Sequence, residues 1–177
     1  HKIPLNKIRT IRNWISFDKE VSDISIKKVH SSRITFTFIG WIIKEKGLHE
    51  LIGAIKKLKS QGYSFNINII GGGTLLEKLT MDVANSNAEG FINFTGWLGK
   101  SEIEKYLDST QVLVLPSYAE GFPNVILEAM CQGIPVIATN VGTIPDTISN
   151  NVNGFLIEPM NEKELELAME SYINSPE

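Results

Sequence analysis

Between Arg33 and Ile173, short apolar runs rich in β-branched residues alternate with segments whose apolar residues recur every three or four positions. The short runs predict β-strands, and the longer segments predict helices. Strands that alternate with helices usually form a parallel sheet, because each connection crosses back over one face of that sheet. We therefore predict an α/β fold, a Rossmann-like parallel sheet of about six strands with helices on both faces.

The predicted elements follow one another along the chain. The predicted strands are residues 33–40, 64–70, 91–95, 112–115, 134–138 and 154–157. The predicted helices start at Lys46-Gly47 and near residues 75, 101, 125 and 162, with a short helical turn at 145–148. Thr74 and Asn161 are suited to cap the helices that follow them. Ser101 and Glu104 have the spacing of a capping box.

Residues 1–32 do not share this pattern, because they are polar, basic and without periodicity. We interpret them as a linker or as a segment that crosses from another domain, and residues 33–177 as one domain. The 177-residue length fits a single domain of ordinary size. The chain begins with His1 and not with Met, so we expect it to be part of a longer protein.

The charge distribution limits the classes of partner. The chain has 17 basic and 20 acidic residues, and this balance argues against nucleic acid as a main partner. Residues 1–46 carry ten basic and four acidic residues, which fits either a section that faces phosphates or an acidic membrane surface, or an ordinary solvated face. Cys131 is the single cysteine, and neither a membrane-length apolar run nor a signal-peptide pattern is visible. We therefore expect a reducing, cytoplasmic location.

The strongest motif lies between Pro116 and Pro135. Glu120 follows the fourth predicted strand, and Glu128 lies about one turn into the next predicted helix. Ligands of open α/β sheets bind at the carboxyl ends of the strands. Two carboxylates directed at one crevice suit a ligand rich in hydroxyl groups, such as a sugar and a ribose. The alternative is a capped helix with two surface acids.

Glycine-bearing turns follow the other strands. Gly71 to Gly73 either allow close backbone approach to a phosphate or form a plain tight turn. Gly40 ends the first strand, and Lys46 either reaches a diphosphate or is an exposed loop lysine. The turn that contains Pro123 has free backbone N–H groups, which either hold a phosphate or meet water. They belong to Gly121, Phe122, Asn124 and Val125. Trp97 either flanks a base or packs on the sheet.

These signals all fall at one edge of the predicted sheet, which favours a single crevice over unrelated features. A D-x-D motif is absent from the sequence, and His30 and His49 stand alone without a second ligand at metal spacing. We therefore predict no metal site and no cofactor. The G-x-S-x-G, P-loop and Cys-x-x-Cys motifs are also absent.

The order of these motifs resembles the carboxy-terminal domain of GT-B glycosyltransferases of family 4. The resemblance covers roughly residues 33–170 and is carried by F-I-G-x5-K-G, I-I-G-G-G, F-T-G, the segment L-P-S-x2-E-G-F-P-N-V-I-L-E-A-M-x2-G-I-P-V-I-A-T, and G-x11-G-F-L-I-E-P. Residues 7–19 resemble the segment that crosses between the two domains of such enzymes. The chain would then be one half of a GT-B fold.

The resemblance implies a retaining, metal-independent transfer from a nucleotide-sugar donor. A missing amino-terminal domain would bind a saccharide or lipid-linked acceptor of polysaccharide or glycolipid synthesis, with peripheral attachment to the inner face of the cell membrane as an option. By position, Glu128 would bind the donor ribose, Glu120 would face the sugar, and Lys46 would neutralise the diphosphate. Trp97 and Leu98 would border the base. The remaining donor contacts would be Gly40, Gly71, Gly73, Gly121, Phe122, Pro123, Asn124 and Val125.

One position departs from the family pattern. Many members have Arg directly after the glycine of the first strand, and this chain has Trp41. Either another cation such as Lys44 substitutes, or phosphate binding is weaker. Two other functions stay open at this point, a sugar-nucleotide epimerase or phosphorylase of the same architecture and a non-catalytic nucleotide-binding module. We expect the isolated domain to bind donor without transferring it.

Overall fold

The computed structural model describes residues 33–86 and 88–175. Within them, six parallel strands form one sheet in the order β3-β2-β1-β4-β5-β6. The sheet confirms the predicted Rossmann-like α/β fold. The strands are β1 (Ile34–Ile39), β2 (Phe65–Ile70), β3 (Ile92–Gly96), β4 (Val112–Leu115), β5 (Val136–Thr139) and β6 (Gly154–Ile157).

Five α-helices connect or follow the described strands. They are α1 (Leu48–Ser60), α2 (Leu76–Ala84), α3 (Lys100–Asp108), α4 (Asn124–Met130) and α5 (Glu162–Asn174). Short 3₁₀ turns occur at Lys44–Lys46, Glu89–Phe91 and Ile144–Asp146. None of these helices has the length and hydrophobicity that crossing a membrane requires.

Right-handed connections assign the helices to two layers. With this strand order, α1 and α2 cross one face, and α3 and α4 cross the other. The helix α5 returns to the first face and packs along α1. The β1 residues Phe36 and Phe38 are fully buried, as is the α1 stripe of Leu48, Leu51 and Ile55. Burial of such apolar side chains is the main source of stability for a sheet that is covered on both faces.

Two of the three predicted helix caps differ from the structure, although the helices begin close to their predicted positions. Asn161 caps α5 as predicted, since its side chain accepts a hydrogen bond from the Glu164 N–H at 3.1 Å. The predicted Thr74 cap is wrong, because the chain enters α2 through Leu75, whose N–H donates to the Ile42 carbonyl. The predicted capping box is also wrong by two residues. The Glu102 carboxylate accepts from the Gly99 N–H, so α3 begins at Lys100.

The chain changes direction at the junction of β1 and β4. The connection after β1 leads towards β2, while the connection after β4 leads towards β5. The register pairs Phe36 with Val112 and Thr37 with Leu113, and stops two residues before either strand ends. This is the position at which open α/β sheets form a crevice for ligands. The predicted linker, residues 1–32, lies outside the described residues.

Candidate functional site

The segments that follow β1 to β5 contact one another at the carboxyl ends of the strands. Lys46 and Glu120 form an ion pair between the first and fourth of these segments. The ammonium nitrogen of Lys46 lies 2.5 Å from Oε1 of Glu120, although 74 residues separate the two in sequence. Their side chains are 20% and 9% exposed. The structure therefore brings together the two residues that were predicted to act as catalytic groups, Glu120 at the sugar and Lys46 at the diphosphate.

The glycine turns after β1 and β2 pack directly against each other. Gly71 has a φ of +135°, and a Cβ placed on it would overlap the carbonyl oxygen of Gly40. A Cβ on Gly73 would likewise overlap the carbonyl of Ile42. Backbone hydrogen bonds from Gly40 to Ile70 and from Ile42 to Gly72 continue the sheet into these turns. Close backbone packing alone is therefore enough to require glycine here, and phosphate binding by this turn stays a prediction.

Two exposed tryptophans stand beside the glycine turns. Trp41 and Trp97 are 58% and 59% exposed, and their rings meet edge to face at 4.7 Å between centroids. A Cβ on Gly72 would lie within 3 Å of the Trp97 indole, so the ring rests against the Gly72 backbone. Trp97 therefore packs on a neighbouring turn and not on the face of the sheet, and much of its ring remains accessible. Leu98 follows it and is half-buried.

The turn from Glu120 to Val125 is held by the connection after β5. The Thr143 hydroxyl donates to the Gly121 carbonyl at 2.7 Å. Gly142 has a φ of +57°, and a Cβ on it would overlap the Glu120 carbonyl. Pro123 precedes α4, which begins at Asn124, and Phe122 and Val125 are half-buried. Gly121 itself is exposed.

Glu128 is exposed on α4, one turn after the helix begins at Asn124. The predicted Glu120–Glu128 pair therefore has unequal surroundings, one acid in an ion pair and the other facing solvent. A second acid that is exposed on a helix can still meet a ligand, but the position alone does not require one. Its role towards a donor stays a prediction.

Sequence reasoning missed the residues that join the first and fourth connections. The Tyr118 hydroxyl lies 2.8 and 2.7 Å from the two carboxylate oxygens of Glu50. Burial raises the pKa of Tyr118 to about 12, with further contributions from the Glu50 hydrogen bond and the charges of Glu50 and Glu45. Gly142, the first glycine of G-x11-G-F-L-I-E-P, and Thr143 were not predicted to contact the Glu120 turn. Their place after a predicted strand was the available signal, since the other predicted site residues share it.

Two observations concern sites of other kinds. A groove of about 340 Å³ lies at the opposite end of the sheet, where Thr35, Asn66, Asn68 and Asn93 line it together with Tyr106. None of the predicted site residues borders this groove. Among the described residues, no group of three or more His, Cys, Asp or Glu side chains is arranged to hold a metal ion. Metal independence stays a prediction.

Comparison with known families gives one match over most of the chain. The sequence model of the family "Glycosyl transferases group 1" matches residues 22–177. Among curated proteins, the amylovoran biosynthesis glycosyltransferase AmsK of Erwinia amylovora is 31% identical over 159 residues, which is 86% of this chain and 39% of AmsK. The chain spans about two fifths of the length of the curated relatives it matches.

One of the solved structures with the same fold is itself a single domain of a longer glycosyltransferase. The carboxy-terminal domain of the glycosyl transferase group 1 family protein LpcC from Francisella tularensis is 29% identical, with a TM-score of 0.73 over 81% of this chain and 76% of that one. Anabaena HepE in complex with UDP is 23% identical, with a TM-score of 0.73 over 90% of this chain and 45% of HepE. The HepE likeness is one of fold.

Proposed function

The chain belongs to the glycosyl transferases group 1 family, and on that premise we propose that it is the donor-binding domain of a retaining glycosyltransferase. The domain binds a nucleotide-sugar at the carboxyl ends of β1 to β4. A second domain of the longer protein supplies the acceptor. The name of AmsK, which assigns that protein to amylovoran biosynthesis, supports a role in polysaccharide synthesis.

The ion pair between Lys46 and Glu120 is the observation that carries this proposal. It places a cation and a carboxylate 2.5 Å apart at the position where the strand order reverses. A lysine ammonium has three donors, so Lys46 can keep Glu120 while it donates to an oxygen of a diphosphate. An isolated surface lysine would not be held in this position, since its side chain has many rotamers of similar energy.

Transfer breaks the bond between the sugar and the diphosphate. The negative charge of the leaving diphosphate grows in the transition state, and a preorganised cation stabilises that charge more than it stabilises the ground state. Lys46 has this role. Glu120 orients Lys46 and faces the sugar, while Glu128 accepts hydrogen bonds from the ribose hydroxyls.

The surroundings of the donor follow from the same edge of the sheet. Trp97 and Leu98 border the base, and more than half of the Trp97 surface is accessible. The crystal structure of HepE contains UDP, which supports a nucleotide as the ligand of this fold. The proposed reaction needs no resident metal, because Lys46 and backbone N–H groups supply the positive charge.

A thermal-shift panel of UDP-, GDP-, ADP- and dTDP-sugars tests donor binding by this chain. A ligand at about 100 times its Kd stabilises the folded form by about 2.7 kcal/mol. For a domain of this size we expect Tm to rise by roughly 5–10 °C. If none of the four raises Tm at millimolar concentration, donor binding by this chain is refuted.

Matched variants identify the site. Glu128→Ala should abolish most of the Tm increase. Glu77 is also a glutamate exposed on a helix but is not a predicted donor contact, so Glu77→Ala should leave the increase unchanged. In the longer protein, Lys46→Ala should lower kcat by about 10²–10³-fold, as expected for loss of one group that stabilises a developing anion. Turnover of donor without any acceptor would favour the epimerase or phosphorylase alternative.

A further inference from the structure

The hydrogen bond between Tyr118 and Glu50 has no part in the proposed donor contacts. Glu50 lies in the first turn of α1, and Tyr118 lies in the connection between β4 and α4. Both carboxylate oxygens of Glu50 lie within 2.8 Å of the Tyr118 hydroxyl, in a partly buried position. A phenol has one hydrogen and the carboxylate has none, so Tyr118 is the donor. Its hydroxyl hydrogen is therefore engaged within the protein.

Tyr118 contacts the β1–α1 connection a second time through its backbone. Its N–H donates to the carbonyl oxygen of Glu45 at 2.7 Å. Lys46 is the next residue after Glu45, and its partner Glu120 lies two residues after Tyr118. The two Tyr118 bonds thus attach to the chain on either side of Lys46. They hold the segment from which the Lys46 side chain extends.

The sheet does not provide this alignment. The β1–β4 register ends at Thr37 and Leu113, before the last two residues of both strands. Between β1 and β2, by contrast, the register continues to Ile39 and Ile70 at the ends of the strands. The connections that carry Lys46 and Glu120 therefore leave the sheet beyond the last register pair. Contacts between the connections themselves must fix their separation.

The protonation state of Tyr118 suits a lasting contact. Burial, the Glu50 hydrogen bond and the charges of Glu50 and Glu45 raise its pKa to about 12. The hydroxyl therefore stays a donor throughout the neutral pH range. A partly buried carboxylate loses some of its contact with water and needs a hydrogen-bond donor in its place. The Tyr118 hydroxyl is such a donor for Glu50.

We propose that the Tyr118–Glu50 hydrogen bond is a positioning contact that keeps Lys46 beside Glu120. Tyr118 and Glu50 act through the ion pair and do not themselves touch the donor. The expected effect on nucleotide affinity rests on the function proposed above, whereas the effect on the ion pair does not. If this hydrogen bond only added stability, its removal would leave the ion pair unchanged.

The first test observes the ion pair in the ligand-free chain. The ¹H and ¹⁵N NMR signals of the Lys46 ammonium group are retained while the group is held by a carboxylate and its exchange with water is slow. We expect Tyr118→Phe and Glu50→Ala to lose these signals. Glu50→Gln should keep them, because its amide oxygen still accepts from Tyr118. Retention of the signals in both Tyr118→Phe and Glu50→Ala would overturn the proposal.

Tyr63→Phe is the matched control. The Tyr63 hydroxyl donates to Oε1 of Glu170 at 2.5 Å, which is also a tyrosine–glutamate bond but joins the α1–β2 connection to α5. This variant should lose stability and keep the Lys46 signals. Loss of the Lys46 signals in Tyr63→Phe would show that any weakened fold has this effect, and the positioning role would then be rejected.

The second test measures UDP affinity by isothermal titration at a temperature at which every variant is folded. Tyr118→Phe should bind UDP about fivefold more weakly than Tyr63→Phe, and Glu50→Gln should bind it nearly as the unmodified chain does. Equal affinities of the two phenylalanine variants would overturn the proposal. If the unmodified chain binds no nucleotide, the proposed function fails, and the Lys46 signals still decide the positioning role.

Discussion

Gly47→Ala tests whether close contact between the first and fourth connections is needed for stability. Gly47 has a φ of +67°, and a Cβ there would lie 1.9 Å from the carbonyl oxygen of Pro116. An alanine in the left-handed region costs about 1–2 kcal/mol. Ordinary contact begins near 3.4 Å, so the Pro116 carbonyl must move by roughly 1.5 Å. Overpacking of this kind costs about 1–3 kcal/mol, which gives about 2–5 kcal/mol in total.

Gly96→Ala is the matched control, and urea unfolding at equilibrium is the assay. Gly96 has a similar φ of +73°, but a Cβ there would meet nothing within 4 Å. Its cost should therefore be the conformational part alone, about 1–2 kcal/mol. The two variants should differ in free energy of unfolding by about 1–3 kcal/mol with similar m-values. If they differ by less than about 0.5 kcal/mol, the Pro116 carbonyl moves without a measurable cost. The close contact at Gly47 would then not be needed for stability.

Three further changes have expected outcomes. Ser117 is fully buried, and its hydroxyl oxygen has no hydrogen-bond partner in the described part of the chain. Ser117→Ala should therefore leave the urea midpoint unchanged or raise it, and a clear fall would reveal an unrecognised partner. Tyr118 and Tyr172 both have pKa values raised from 10.0 to about 12, Tyr172 through burial. Because the folded chain binds these protons more tightly, stability should be complete below pH 10 and fall between pH 10 and 12, less steeply in Tyr172→Phe, as measured by unfolding at several pH values. Burial raises the pKa of Glu166, but hydrogen bonds from Lys163 and Gln61 and the charges of Lys163 and Lys57 lower it more, so the net pKa lies below 4.5. Its contribution is therefore present above pH 4.5 and lost as the pH falls below it, and Glu166→Gln should flatten the acid side of the stability curve; an unchanged acid side would contradict this.

The sequence was sufficient to predict the sheet and the order of its elements. Each strand and helix has one buried face, and the apolar residues on that face recur in the sequence with a fixed period. A window of about ten residues is therefore enough to recognise the pattern. The strand from Ile34 to Ile39 and the helix from Leu48 to Ser60 lie within two residues of their predicted positions. Cap choice at α2 and α3 was not predictable in this way. At α2 it depended on a backbone bond to Ile42, which is 33 residues away from Leu75. At α3 the local pair of Gly99 and Glu102 forms the capping box two residues before the predicted one.

The site was predictable to the level of a shared edge of the sheet. Because parallel strands align their carboxyl ends, Lys46 and Glu120 were expected in one region, and the structure confirms that they meet. The contact between Tyr118 and Glu50 was beyond sequence reasoning, since exact side-chain directions decide it. The packing of Gly71 on Gly40 likewise depends on how closely two turns approach. The donor contacts of Glu128, Trp97 and the other predicted binding residues stay predictions.

The packing of α5 along α1 has a consequence for the order in which this chain assembles. Gln61 donates to Glu166, and Tyr63 donates to Glu170, so the end of an early helix is completed by the last helix described. During synthesis, β1, α1 and β2 leave the ribosome long before Leu165 and Met169 can cover that face. β1, α1 and β2 therefore keep an exposed apolar surface until α5 has been synthesised. A chain shortened after β6 should for this reason precipitate or recruit chaperones, even though every predicted donor contact would still be present.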